Sequence, residues 1–153
     1  MIGFKIKEMK EMFLDRKAIV DAVDSATRRV LSKFGAFVRT AARTSIRPAG
    51  KKNAVSLPGQ PPRSHVGLLR QFIFFGYDSS QRSVVIGPAR LNTDSGEIPH
   101  ILEYGGTTIV KSLHRGKLKL TPARIEPRPF MGPALQQELP KLPAMWRDSV
   151  KAF

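Results

Sequence analysis

The stretch "DRKAIVDAVDSATRRVLSKFGAFVRTAARTSIRPAG", Asp15 to Gly50, decides the fold class. Ile19, Val23, Ala26, Val30, Phe34, Phe37 and Ala41 recur at steps of three and four, which places them on one stripe of a helix running from Asp15 to about Ile46. A helix of that length spans roughly 45 Å. Asp15 has the chemistry of an N-cap, and Leu14 and Ile19 are spaced to close a hydrophobic staple across it. Arg28, Arg39 and Arg43 fall on the face opposite the stripe. Asp21 and Asp24 come early while Arg43 and Arg47 come late, the order a helix dipole favours. Pro48 and Gly50 end the helix.

Working outward, Ile2, Phe4 and Ile6 alternate with polar residues as in a short strand, and Met9, Met12 and Phe13 fit a helical turn. On the other side, "AGKKNAVSLPGQPPRS" from Ala49 to Ser64 mixes lysines, glycines and prolines without periodicity. We read 49–64 as a long flexible loop with polyproline character. "GLLRQFIFFGY", Gly67 to Tyr77, predicts a strand, with "RSVVIGP" as its hairpin partner. Phe72, Phe74 and Phe75 cannot all face one side of that strand, so at least one should meet the long helix. Ile98 to Tyr104 predicts a short helix ended by Gly105 and Gly106, and Thr107–Leu113 with Lys117–Leu120 a second hairpin around Arg115 and Gly116. After Pro129, Met131, Leu135, Leu139, Leu142, Met145, Trp146 and Val150 mark a C-terminal helical segment that Pro140 and Pro143 should break in two. The expected architecture is α+β: a long N-terminal helix packed against a curved, mostly antiparallel sheet of four to five strands, with a C-terminal helix.

The chain has 153 residues, enough for a single domain over 1–153 with a modest core. Hydrophobic residues make up 41%, and no apolar run approaches the ~18 residues of a membrane span. "MIGFKIKEMKEMF" lacks the apolar block of a signal peptide, so a cytosol-like compartment is the expectation. With no cysteine, disulfides and thiolate metal sites are excluded.

Lys and Arg number 26 against 12 Asp and Glu, a formal charge of +14, which points to an anionic partner or a crowded assembly. No acidic residue occurs from Ser25 to Tyr77, whereas Arg28, Arg29, Lys33, Arg39, Arg43, Arg47, Lys51, Lys52, Arg63 and Arg70 all fall there. That surface either contacts phosphates or is a solvated face that neighbouring subunits neutralise. Aromatic residues interleaved for base stacking are missing from it.

Signals for catalysis are thin. Glu97, His100 and Glu103 could share a helix face, but two carboxylates and one imidazole make a weak metal site. Ser64 and His65, with Asp78 or Asp94 as a third member, lack a nucleophile-elbow context. Gly105 and Gly106 lack the spacing of a phosphate-binding loop. We expect no enzyme activity and no cofactor.

Three blocks stand in order: "LPGQPPRSHVGLLR" at Leu57 to Arg70, "IPHILEYGGT" at Ile98 to Thr107, and "EPRPFMGPAL" at Glu126 to Leu135. Together they resemble the head-to-tail joining, tail-completion proteins of long-tailed bacteriophages, including the minor tail protein Z group. That family carries a long first helix, a "PGxPPxxxTGxLxxSI" loop, an aromatic strand pair, "YAxxxEYGT", and "RPFxxPA" opening a last helix. Pro58, Gly59, Pro61, Pro62, Gly67 and Leu69 match in the first block, Glu103, Tyr104 and Gly105 in the second, and Arg128, Pro129, Phe130, Pro133 and Ala134 in the third. Val66 stands where the family usually has Thr, and Gly106 separates Gly105 from Thr107.

The resemblance implies a structural virion protein that forms a ring, commonly a hexamer, where the head connector meets the tail tube. Its implied partners are further copies of itself, connector or adaptor and stopper proteins, the tail-tube protein and the DNA in the channel, with no membrane. It would be assembled in the bacterial host cytoplasm and reside in the virion. Subunit or partner contacts would fall on Pro58, Gly59, Pro61, Pro62, Arg63, His65, Leu69, Glu103, Tyr104, Gly105, Arg128 and Phe130. DNA or acidic partners would meet Arg28, Arg39, Arg43, Arg47, Lys51 and Lys52. The prolines around Arg128 and Phe130 pre-organise that corner, with Phe130 plugging the core and Arg128 expected to pair with Glu103. Loop 49–64 would fold against a neighbour on assembly. The alternative reading is a basic nucleic-acid-binding module that grips phosphates through helix 15–47.

Overall fold

The computed structural model describes residues 16–50, 54–89, 98–114, 117–147 and 149. The Asp15 cap, Leu14, the strand expected around Ile2 to Ile6, Lys51, Lys52, Asp94, Glu97 and Val150 lie outside them. The protein is α+β, with a long N-terminal helix, several small sheets and a C-terminal helical segment.

Helix α1 spans Arg16–Ser45, 30 residues. Its buried line is Ala26, Val30, Phe34, Val38, Ala42 and, just beyond its end, Ile46. Each four-residue step advances about 40° around the axis, so the line winds instead of running straight. This corrects the expected stripe. Ile19, Val23 and Phe37 are exposed and Ala41 only packs against the edge of the core. A straight stripe suits one flat neighbour, whereas α1 is wrapped by a hairpin and by the C-terminal helices, and its first turns extend past them. The exposed Phe37 ring instead lies within cation–π range of two lysines, with the Lys33 and Lys141 Nζ atoms each 5.9 Å from its centroid.

After α1, the two-residue strands β1 (Arg47–Pro48) and β2 (Arg63–Ser64) pair in parallel. A helical turn α2, Leu68–Gln71, precedes strand β3, Ile73–Asp78, which pairs antiparallel with β4, Ser83–Pro88. The strand expected from Gly67 therefore starts six residues late. Gly67 sits at φ 84° and donates its N–H to Ser64 Oγ at 2.8 Å, a geometry that bends the chain into the turn, and Gln71 and Phe72 donate back to Gly67 and Leu68. Within β3, Ile73 is fully buried and Phe75 reaches α1, while Phe74 is 51% exposed on the opposite face.

Gly35 marks the closest approach of α1 to this hairpin. A Cβ there would lie 2.8 Å from Val84 Cγ2 and 2.9 Å from Phe75 Cδ2. Gly35→Ala should therefore destabilise by about 1–2 kcal/mol, overpacking outweighing the ~1 kcal/mol that alanine gains in helix propensity; a urea titration checks the sign. At the hairpin end, the Asp78 carboxylate accepts from Ser80 Oγ at 2.6 Å, Ser80 N at 2.9 Å and Gln81 N at 3.3 Å. The Ser80 hydroxyl first, then the Gln81 and Ser80 amides, hold the Asp78 carboxyl below its ordinary value. A depressed folded pKa means this turn keeps its full contribution above the ordinary carboxylate range and loses it as pH falls through the lowered value. Amide shifts of Ser80 and Gln81 followed by NMR on acidification should move with that midpoint and not before it.

Helix α3, Ile98–Tyr104, leads into a long hairpin of β5, Gly106–His114, and β6, Lys117–Ile125, in register from Gly106↔Ile125 to His114↔Lys117. The expected single curved sheet is thus three separate two-stranded ladders among the described residues. Pro88 in β4 and Pro122 in β6 have no N–H to give a further neighbour, so each strand suits an edge and not a sheet centre. The chain closes with α4, Met131–Glu138, a 3₁₀ turn at Leu139–Lys141 and α5, Leu142–Arg147; the break expected of the prolines falls at Pro140, while Pro143 sits in the first turn of α5, where proline is tolerated. Phe34, Val38, Ala42, Ile46, Ile73, Phe130 and Ala134 form the core where α1, β3 and α4 meet. Among the described residues no helix is long and apolar enough to cross a membrane.

Candidate functional site

The start of α4 poses a physical problem. Its first N–H groups have no partner within the helix, and Phe130 at the cap position has no side-chain acceptor. The acceptor comes from α3. Glu103 Oε2 accepts from Phe130 N at 2.9 Å and Met131 N at 3.0 Å, and its Oε1 accepts from Gly132 N at 2.8 Å. One carboxylate thus caps a helix 27 to 29 residues away, at the end where the helix dipole favours negative charge. Gly132 leaves it room, since a Cβ there would lie 3.1 Å from Oε1.

Gly105 sets the position of Glu103. It ends α3 at φ 79°, with its N–H on Ile101 O at 2.8 Å, the left-handed helix stop that glycine accepts most easily. A Cβ there would also crowd Pro127 Cδ at 3.1 Å and Ile125 O at 3.2 Å. Arg128 then locks the two segments together through its backbone, N–H to Leu102 O at 2.6 Å.

The expected Arg128–Glu103 ion pair is replaced by a division of labour. Arg128 Nε donates to Ser56 O at 3.1 Å and Nη1 to Glu126 O at 3.2 Å, while Glu103 takes the amides. The three N–H groups at the helix end converge on the carboxylate better than one guanidinium could, and the planar guanidinium can serve two carbonyls.

Through Ser56 the first sequence block joins the same corner. Pro58 and Gly59 form the turn from Leu57 to Gln60, with Gly59 at φ 78° in the position where a type II turn requires a positive φ. Gly59 N also donates to Pro127 O at 2.9 Å, and Ala49 N to Ser64 O at 3.0 Å. The described part of loop 49–64 is therefore tied down at Ser56, Gly59 and Ser64. Ser56 is buried, and among the described residues its Oγ finds no hydrogen-bond partner. Beside it lies a cleft of about 330 Å³ lined by Pro62, Arg63, His65, Leu69, Leu102 and Arg128.

The remaining sequence candidates divide between this corner and open surface. Pro62 is buried, Pro61 half-buried, and Leu69 packs on the core's edge, whereas Arg63 and His65 are exposed. Tyr104 is 72% exposed and its ring lies 4.9 Å from that of His100. The basic helix face is not one open stripe. Arg28 and Arg47 are exposed, Arg43 is half-buried, and Arg39 is drawn in, its Nε donating to Ile73 O at 2.7 Å. The weak catalytic signals have other work: Ser64 Oγ holds Gly67 N, and Asp78 holds its own turn. Among the described residues no three His, Cys, Asp or Glu side chains are grouped to hold a metal.

Sequence reasoning missed the capping role of Glu103. The signal was the absence of Ser, Thr, Asp or Asn just before Met131, which obliges an acceptor from elsewhere. No family model, curated protein or solved structure matches this chain.

Proposed function

We propose that this chain is a structural virion protein of a long-tailed phage. It assembles as a ring, with six copies the expected number, at the head–tail junction, joining connector, adaptor or stopper proteins to the tail tube around the DNA channel. The observation that carries the reading is convergence. The three blocks on which the resemblance rests meet at one corner, through Glu103 on the α4 amides, Arg128 on Ser56 and Leu102, and Gly59 on Pro127. Glu103 and Arg128 are both engaged with backbone, which suits a shape-keeping subunit better than a ligand-gripping one. The positive charge then neutralises acidic neighbours and faces the DNA in the channel.

Particles made without this chain should yield heads and tails that stay separate until the purified protein is added. Joining that proceeds equally well without it would remove the reading. The nucleic-acid module is separated by charge reversal at Arg28 and Arg43, both clear of the core. Under the ring reading joining should fall in those variants, while bare-DNA binding, weak in the wild type, should change little. Tight, salt-sensitive binding of bare DNA by the wild type, lost in the variants while joining is kept, would favour the module instead.

A further inference from the structure

The pairing of β1 with β2 sets Arg47 directly across from Arg63. Cross-strand partners share a face, so two guanidinium groups stand side by side, which is unfavourable until an anion joins them. Both residues are exposed, and both line a cleft of about 400 Å³ at the end of α1. Among the described residues neither has an ion pair or a side-chain hydrogen bond, and no Asp or Glu lines the cleft.

The rest of the cleft wall divides by which protons are still free. Thr44 Oγ1 donates to Thr40 O at 2.9 Å and Ser45 Oγ to Ala42 O at 2.8 Å, so both hydroxyl protons are held by α1. The Gln60 side-chain amide has no partner among the described residues. Ser56, 7% exposed, lies on the wall shared with the neighbouring 330 Å³ cleft, and its Oγ is the buried hydroxyl left without a partner. Two guanidiniums, an amide and this hydroxyl are thus donors without acceptors around one opening.

Other cations of the fold are already engaged. In the basic cleft of about 430 Å³ between α1 and α5, Lys141 is paired with Glu138 at 2.6 Å, and Lys33 and Lys141 both lie over Phe37. Arg39 and Arg128 are bound to backbone carbonyls and Arg82 to Asp24.

We propose that the cleft between Arg47 and Arg63 binds a phosphate group. A carboxylate has two oxygens, which a single guanidinium fork fills, whereas a phosphate has oxygens enough to face both forks and the Gln60 amide together. The inference goes beyond the ring reading and holds equally in a single copy of the chain.

Inorganic phosphate is titrated into the protein at an ionic strength held constant with sodium chloride, and the arginine Nε–H signals are followed by NMR. The expected result is saturable movement of the two signals that Arg47→Gln and Arg63→Gln remove, with a melting temperature that rises with phosphate. Each variant should keep its circular dichroism spectrum and bind phosphate about tenfold or more weakly, the effect of losing hydrogen bonds to a charged group. A short DNA duplex tells the source. If it moves the same two signals and inorganic phosphate competes with it, the group belongs to a nucleic-acid backbone; if only inorganic phosphate moves them, the site takes a small phosphate. Movement that sodium chloride reproduces, or that survives both substitutions, overturns the site. So does a polyglutamate peptide that moves the two signals where phosphate does not, which would give the cleft to an acidic protein partner. Each of these failures leaves the ring reading to its own test.

Discussion

Glu103→Ala is expected to lower the unfolding free energy by about 2–4 kcal/mol and the melting temperature by about 5–12 °C, large for a half-buried carboxylate. The reason is that one side chain serves three amides at the mouth of α4. A lost helix cap ordinarily costs about 0.5–2 kcal/mol, and hydrogen bonds to a charged group contribute more than neutral ones. Here the amides also border the core, because Phe130 is buried just behind them. Glu103→Gln keeps one carbonyl acceptor but turns an NH₂ group toward the remaining N–H, so it should fall between alanine and wild type. Equilibrium urea unfolding of the three proteins checks the order. A loss no greater than that of an ordinary surface glutamate would show that α4 does not depend on its distant cap.

Phe130→Ala should be costlier still, about 3–5 kcal/mol, the range for removing a buried aromatic side chain and leaving a cavity. Phe130 is 1% exposed and sits among Phe34, Val38, Ile73 and Ala134. Since domains of this kind hold about 5–15 kcal/mol in all, the change removes a large share of the stability. Phe130→Leu retains most of the volume and should lose about 1–2 kcal/mol. The urea midpoint should fall in both variants with the slope unchanged, and a changed slope would instead report an altered unfolded or native state.

The two residues also show what the sequence makes legible. Periodicity located α1 and the C-terminal segment, because helix period and proline breaks are local properties. The hairpins were legible for the same reason, as alternation and turn residues lie within a few positions of each other. Phe130 as a core plug followed from a large aromatic held by prolines before a helix. The Glu103 cap was not legible as such, because its partners lie 27 to 29 residues away and are backbone groups that any residue carries. Charge pairing suggested Arg128 for Glu103, and the unsatisfied helix end won. The winding of the buried line along α1 was hidden similarly, since it depends on which elements wrap the helix. The division of the sheet into separate ladders turns on Pro88 and Pro122, whose missing donors matter only once a neighbouring strand is at stake.

The measurement that tests the central claim most directly is the mass of the purified protein by light scattering, alone and with the connector and tail-tube proteins proposed as its partners, at low and moderate salt. The account predicts a ring-sized species, either spontaneous or driven by a partner. A monomer that ignores those partners yet binds bare DNA tightly would contradict it.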